Sequence, residues 1–233
     1  MQVRQGRDVV EAVPRRSMVE TDLWPALRRY WHPVAYSSEV ADAPAPVRLL
    51  EHRLVLVRLA GELVCFRDLC IHRGTPLSLG WVDGDELICA YHGWSNNRTG
   101  ACTRIPALQD GRSIPSRARV DRYLVEERYG LIWVCLETPA IGIPAFPEFD
   151  DPAYAVTYYP PLEWRCSAAR HTENTVDAAH FAWVHEGILG DRNHPEIPDF
   201  EINRHGEELR YAFVAYRRMK AELGVLVDGV PRD

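Results

Sequence analysis

Lysine is almost missing from this chain: of its 27 basic residues only Lys220 is a lysine. We read that bias as genome composition with no mechanism behind it. Also missing is any apolar run of about 18 residues or more, the length of a membrane span, so no membrane crossing is expected. The N-terminus lacks the apolar core of an export signal, because Arg4, Arg7, Asp8 and Glu11 interrupt it. Positive charge is not in surplus: 27 Lys and Arg against 33 Asp and Glu give a net charge of −6. That balance argues against broad nucleic-acid binding and leans toward a basic partner. There is no Gly-rich nucleotide loop either.

Six cysteines are present, but a chain of 233 residues without an export signal is no disulfide scaffold. Cys65, Cys102, Cys135 and Cys166 lie in or beside apolar runs and are expected to be reduced core residues. The expected compartment is the cytoplasm. The length suffices for one large core or two modest ones, and the 46% hydrophobic content is that of an ordinary globular protein.

The other two cysteines belong to a pattern. Cys70-Ile71-His72 is followed, after a sixteen-residue spacer, by Cys89-Ala90-Tyr91-His92. Three metal centres could use two thiolates and two imidazoles: a Cys2His2 zinc, an all-cysteine type of iron–sulfur cluster with substitutions, or a Rieske [2Fe–2S] cluster. Zinc modules pair like with like, Cys with Cys and His with His. Here each segment carries one of each, which suits a cluster whose one iron takes both thiolates and the other both imidazoles. Gly74, Gly80 and Gly93 stand where such loops must turn tightly.

Together Cys70-Ile71-His72-Arg73-Gly74 and Cys89-Ala90-Tyr91-His92-Gly93-Trp94 resemble the Rieske domain of ring-hydroxylating non-haem iron oxygenases. Respiratory Rieske proteins carry a further cysteine in each loop. Thr75 and Tyr91 occupy those places here, which points to the lower-potential oxygenase type.

Along the chain, residues 1–32 read as a polar lead-in ending in a short helix from Thr21-Asp22, with Pro25 in its first turns. Residues 33–137 carry short alternating strands punctuated by Gly turns: Trp31–Ala35, Val47–Leu49, Leu54–Val57, Leu63–Phe66, Trp81–Ile88, 99–108 and 118–137. Of these, Gly130–Leu136 is expected as the central closing strand. The reading is an antiparallel all-β module. Six prolines within 138–161 suit neither a helix nor a central strand, and mark a linker. Residues 162–233 form a second region. His32, His194 and His205 read as packing or surface residues.

In that second region Arg170–Gly187 has a helical pattern, with Thr172 as N-cap, Glu173 near the positive end and Gly187 as the stop. Asp177 and His180 are three apart and so neighbours on one face. His180 and His185 are roughly 140° apart around an ideal helix, so they share a metal only if the helix distorts or ends near His185. Two histidines alone specify no metal. The spacing Asn174-x2-Asp177-x2-His180-x4-His185 resembles the catalytic motif of the same oxygenase family. The resemblance implies that His180 and His185 bind a mononuclear non-haem Fe(II), that Asp177 bridges electrons to it from the Rieske histidine of a neighbouring subunit, and that Asn174 lies close by. It assigns Cys70, His72, Cys89 and His92 to the [2Fe–2S] cluster.

The implied fold class is α+β: an antiparallel Rieske domain followed by the start of a helix-grip-like catalytic domain. The implied activity is activation of O2 to hydroxylate or demethylate an organic, aromatic substrate, by mono- or dioxygenation. Electrons would come from NAD(P)H through a separate reductase or ferredoxin, in a homo-trimer. Only forty-eight residues follow His185, whereas the family's third, carboxylate ligand lies far downstream. The expectation is therefore a truncated or partial chain, with strands at 200–202 and 209–216 beginning a missing sheet. The competing reading is a Rieske electron carrier whose second domain binds no iron.

Overall fold

Four hairpins closed by two-residue turns shape residues 45–135. The computed structural model describes residues 23–206, 208–212, 226–227 and 230–231. The chain divides into two compact units, 1–160 and 161–233.

In the first unit, β1 (His32–Tyr36), β2 (Ala45–Leu49), β3 (His52–Leu59), β4 (Glu62–Arg67), β9 (Arg122–Arg128) and β10 (Leu131–Cys135) form one antiparallel sheet in the order β1-β10-β9-β4-β3-β2. The turns at Leu50-Glu51, Ala60-Gly61 and Tyr129-Gly130 have positive φ at both residues, the type I′ geometry that matches strand twist. Ala60-Gly61 and Tyr129-Gly130 each carry a glycine; the turn expected at Gly61-Glu62 falls one residue earlier, because Glu62 pairs with Leu59. Leu50-Glu51 has none, and no turn is expected from the sequence between the strands at 47–49 and 54–57. The strand 131–135 is an interior one, between β1 and β9.

β3 is buried on both faces and separates two cores. Leu54 and Leu56 pack with Cys65, Ile132 and Val134 on one side. Val55, Val57 and Leu59 pack with Val64, Phe66, Leu77, Leu87, Cys70 and Cys89 on the other. All of the β3 members are fully buried. Truncating any one to alanine would cost about 2–5 kcal/mol for the leucines. The second of these cores joins the sheet to the two metal-motif arms.

Those arms are carried by a smaller antiparallel sheet of β5 (Trp81–Asp83), β6 (Glu86–Ile88), β7 (Ser95–Asn97) and β8 (Cys102–Arg104). β7 was not anticipated: Ser95-Asn96-Asn97 has poor strand propensity and forms a strand because β6 and β8 flank it. The short helix α1 spans Trp24–Leu27 with Pro25 in its first turn. Thr21 and Asp22, expected at its start, lie outside the described residues.

The Pro-rich stretch up to Pro160 lies within the first unit. Phe146 N donates to Tyr129 Oη at 3.0 Å, Tyr158 Oη donates to Tyr129 O at 3.2 Å, and the Tyr36 hydroxyl donates to Tyr159 O. These contacts dock it on the β9–β10 turn.

In the second unit α2 spans Ala168–Val176 and α3 spans Phe181–Val184. The single helix expected over Arg170–Gly187 is thus two. Its N-cap is Ser167, whose Oγ accepts from Arg170 N at 3.2 Å, and not Thr172, whose hydroxyl donates back to Ala168 O inside the helix. A hairpin of β11 (Ile202–His205) and β12 (Glu208–Tyr211) follows, and paired segments Leu226–Val227 and Val230–Pro231 come later. The expected extension of a strand through Tyr216 lies outside the described residues. Among the described residues no helix is long and apolar enough to cross a membrane.

All six cysteines are unpaired thiols; Cys65, Cys102 and Cys135 are buried as expected. Cys166 is exposed, contrary to expectation. It sits just ahead of α2 in a unit where Ala182 is the one described hydrophobic residue that is fully buried.

Candidate metal centres

The two arms are built alike. Cys70 N donates to Thr75 O at 2.8 Å, and Gly74 N donates to Cys70 O at 2.8 Å. Nineteen residues on, by the difference of the numbers, Cys89 N donates to Trp94 O at 2.9 Å and Gly93 N to Cys89 O at 3.0 Å. Each cysteine thus opens a loop closed by the same pair of backbone hydrogen bonds. Gly74 and Gly93 take φ of +76° and +69° there, which other residues adopt only under strain. Gly80 has a different reason: a Cβ at that position would collide with the Ile88 carbonyl, so the end of the first arm lies directly on β6.

The loops place like with like. Cys70 and Cys89 are 3% and 1% exposed, inside the core shared with Val57 and Leu87. Burial pushes the Cys70 thiol up to about 11, and the neighbouring Cys89 adds to the rise. On the outer side the Nδ1 atoms of His72 and His92 face each other at 3.1 Å, with ring centroids 4.5 Å apart. Trp94 stacks flat on His72, 4.5 Å between centroids and 5° between planes. Desolvation, with the charges of His92 and Arg73 adding to it, holds His72 below the usual histidine value.

This donor set fits a binuclear cluster better than a single ion. The two Nδ1 atoms share a hydrogen bond when one ring carries its proton there, and with both deprotonated their lone pairs converge on one cation. Two adjacent buried thiols ionise only beside a positive charge. Among the described residues no three His, Cys, Asp or Glu side chains gather around one point. Thiols on one side and imidazoles on the other match a rhomb with one iron at each end.

The first arm has an anchor that sequence reasoning missed. Asp68, 3% exposed at the end of β4, accepts from Ser78 N and from Ser78 Oγ, both at 2.7 Å, while its own N donates to Arg53 O at 2.8 Å. The carboxylate ties the strand to the far end of the loop carrying Cys70 and His72. A spacing of ten between an Asp and a Ser is no recognisable motif, so nothing in the sequence flagged it.

In the second unit His180 and His185 flank α3, with ring centroids 5.1 Å apart. They come together because the helix is short, as the 140° argument required. Asp177 is extended (φ −85°, ψ 106°), and its Oδ1 accepts from Ala179 N at 2.8 Å, a turn that ends α2. Its Oδ2 stands 3.6 Å from His180 Nδ1, too far for a hydrogen bond. That nitrogen is buried and lacks any hydrogen-bond partner among the described residues. A buried imidazole nitrogen without a partner fits a metal ligand. Asn174 is exposed on α2 and is not brought to the pair. No carboxylate completes a set of three there among the described residues. Gly190 lies against the backbone of Phe181 and Ala182, 2.5 Å from where its Cβ would stand, and holds the return of the chain under α3.

Two clefts of about 370 and 490 Å3 open beside Arg53 and Asp68. None of the candidate ligands lines either.

Paired Cys/His loops over a shared core define a Rieske iron–sulfur domain, and comparison with known proteins agrees: residues 30–123 match the Rieske [2Fe-2S] domain, and residues 164–230 match the vanillate O-demethylase oxygenase C-terminal domain. The chain thus carries the pair of domains found in Rieske non-haem iron oxygenases. It is 40% identical over 195 residues to methylxanthine N1-demethylase NdmA of Pseudomonas putida, covering 80% of this chain and 55% of that protein. It is 37% identical over 206 residues to methylxanthine N3-demethylase NdmB of the same organism, covering 83% of this chain and 58% of that one. Among solved structures, NdmA of P. putida with caffeine superposes with a TM-score of 0.80 at 38% identity, over 85% of this chain and 60% of that chain. The chain spans little more than half the length of these curated relatives.

Proposed function

We propose that this chain forms the electron-accepting and iron-binding part of an oxygenase component that hydroxylates or demethylates an aromatic or heteroaromatic substrate. The names of its relatives favour removal of an N- or O-methyl group. The observation that carries the reading is the segregation of the four donors, Cys70 and Cys89 inward and His72 and His92 outward.

In this reading Cys70 and Cys89 hold one iron and His72 and His92 the other, while His180 and His185 hold a mononuclear Fe(II). The bound metals supply one-electron transfer and O2 activation at open coordination positions. The protein's part is placement. The Asp68–Ser78 clamp and the Trp94 stack fix the two imidazoles, and the exposed Ile71, Leu79, Trp81 and Tyr91 give an apolar collar for a docking protein. A reductase or ferredoxin charged from NAD(P)H is the electron source. We read Asp177, whose Oδ2 stands 3.6 Å from His180 Nδ1, as the link between His180 and a Rieske histidine of a neighbouring subunit, which calls for a homo-oligomer, a trimer in the family pattern. Asn174, exposed on α2, is kept only as a group near that contact. A cytoplasmic location is part of the same proposal.

Iron analysis of the anaerobically purified protein tests it: about three irons per chain are expected, and about two would reduce the chain to an electron carrier.

A further inference from the structure

One buried amide beside the inner half of the cluster site has nothing to bond to. Asn96 is 1% exposed, and neither its Nδ2 nor its Oδ1 finds a hydrogen-bond partner among the described residues. Burying an unsatisfied amide is costly, and an orphan of this kind calls for a missing partner.

The strand register says where that partner lies. Asn96 on β7 stands opposite Leu87 on β6, and Ser95 opposite Ile88. The Cys89 N–Trp94 O bond extends the same ladder by one pair, so Cys89 stands opposite Trp94. Opposed residues in an antiparallel pair share a face, and residues two apart along a strand do too. Leu87, Cys89, Trp94 and Asn96 therefore form one face, directed into the core that also holds Cys70. Asn96 and Cys89 are diagonal neighbours on it, about 7–8 Å apart between backbones, within reach of an amide and a sulfur ligand together. Ser95, also buried without a partner, points to the opposite face.

An internal water is the other occupant to consider. A trapped water needs two to four polar partners. On this face the neighbours are Leu87, the Trp94 indole, the Cys89 thiol and, directly opposite on β8, the buried Cys102 thiol.

We propose that the Asn96 side-chain N–H donates a hydrogen bond to a sulfur of the [2Fe–2S] cluster, either the Cys89 thiolate or the inorganic sulfide beside it, and so sets the cluster's reduction potential. The inference rests on the Rieske reading above. A donor aimed at sulfur stabilises the charge added on reduction and raises the potential. Asn96 is a positioning and tuning residue, since it touches no substrate.

The test is a redox titration of the cluster-loaded chain, followed by the electron paramagnetic resonance signal of the reduced form, in wild type, Asn96→Leu, Asn96→Asp and Ser95→Ala. Leu keeps the size without the donor, and Asp keeps the shape without the N–H. Both are expected to shift the reduction equilibrium about fivefold toward the oxidised state, ~40 mV at ~59 mV per tenfold for one electron. Ser95→Ala is expected to leave it in place. After exchange into deuterium oxide, the reduced wild type should show one deuteron coupling that both Asn96 variants lose. If a variant fails to load its cluster, that wild-type coupling and the remaining variant decide. A cluster present with unchanged potentials in the Asn96 variants overturns the inference. Absence of the cluster from the wild type overturns the Rieske reading instead.

Discussion

His72 and His92 meet through their Nδ1 atoms, 3.1 Å apart, above two cysteines buried beside each other. Donors sorted by chemistry in this way make the inner side of the site a thiolate side and leave the imidazoles at the surface, where an electron can leave. The rest of the first unit serves that sorting: two hairpin arms with the same loop geometry, both seated on the core below β3.

The Asp68 clamp is expected to govern how firmly the cluster is held. Asp68→Ala strands the half-buried Ser78 N–H and should cost about 1 kcal/mol of stability. It should also speed loss of the cluster to a chelator, followed as bleaching of the visible absorbance. Asp68→Asn keeps one acceptor and should fall between. Bleaching at the wild-type rate in Asp68→Ala would show that the first arm does not depend on the clamp.

The thiols should separate by reactivity. Cys166 is exposed and should be alkylated first in the native protein. Cys65 is buried, and burial pushes its thiol up to about 12. A folded value above the ordinary 9.0 means that the folded state holds the proton more tightly, so the associated stability is complete below pH 9 and is lost as pH rises toward about 12. Thermal unfolding should therefore fall along an alkaline limb that Cys65→Val makes shallower. An unchanged limb in that variant would contradict the assignment.

Much of this architecture is legible in the chain because its signals are local. Unbroken apolar runs over 54–57 and 63–66, with Gly61 between them, can make little else but a hairpin. The Cys and His residues advertise themselves by spacing. What escaped depends on partners distant in sequence. β7 is a strand because β6 and β8 flank it, and the Leu50-Glu51 turn is imposed by the β2–β3 register. The helix expected over 170–187 breaks because the Asp177 side chain bonds Ala179 N and outcompetes the helical turn, a choice that Asp-Ala-Ala in sequence does not announce. That break is what brings His180 and His185 to opposite ends of one short turn.

Asp177 offers a separable test of the link between centres. Asp177→Ala is expected to keep both kinds of iron and to block turnover by two orders of magnitude or more, about 3 kcal/mol of barrier. In a single-turnover assay of the complete oxygenase carrying this substitution, the prereduced cluster should stay reduced when O2 and substrate are added. Normal oxidation of the cluster would remove Asp177 from the electron path.

The central claim is that Cys70, Cys89, His72 and His92 hold one [2Fe–2S] core. The most direct measurement is the electron paramagnetic resonance spectrum of the dithionite-reduced protein beside Cys70→Ser and His92→Ala. The account predicts a rhombic signal of low average g in the wild type, absent from both variants together with the visible colour. A wild type without that signal, or a variant that keeps it, would contradict the account.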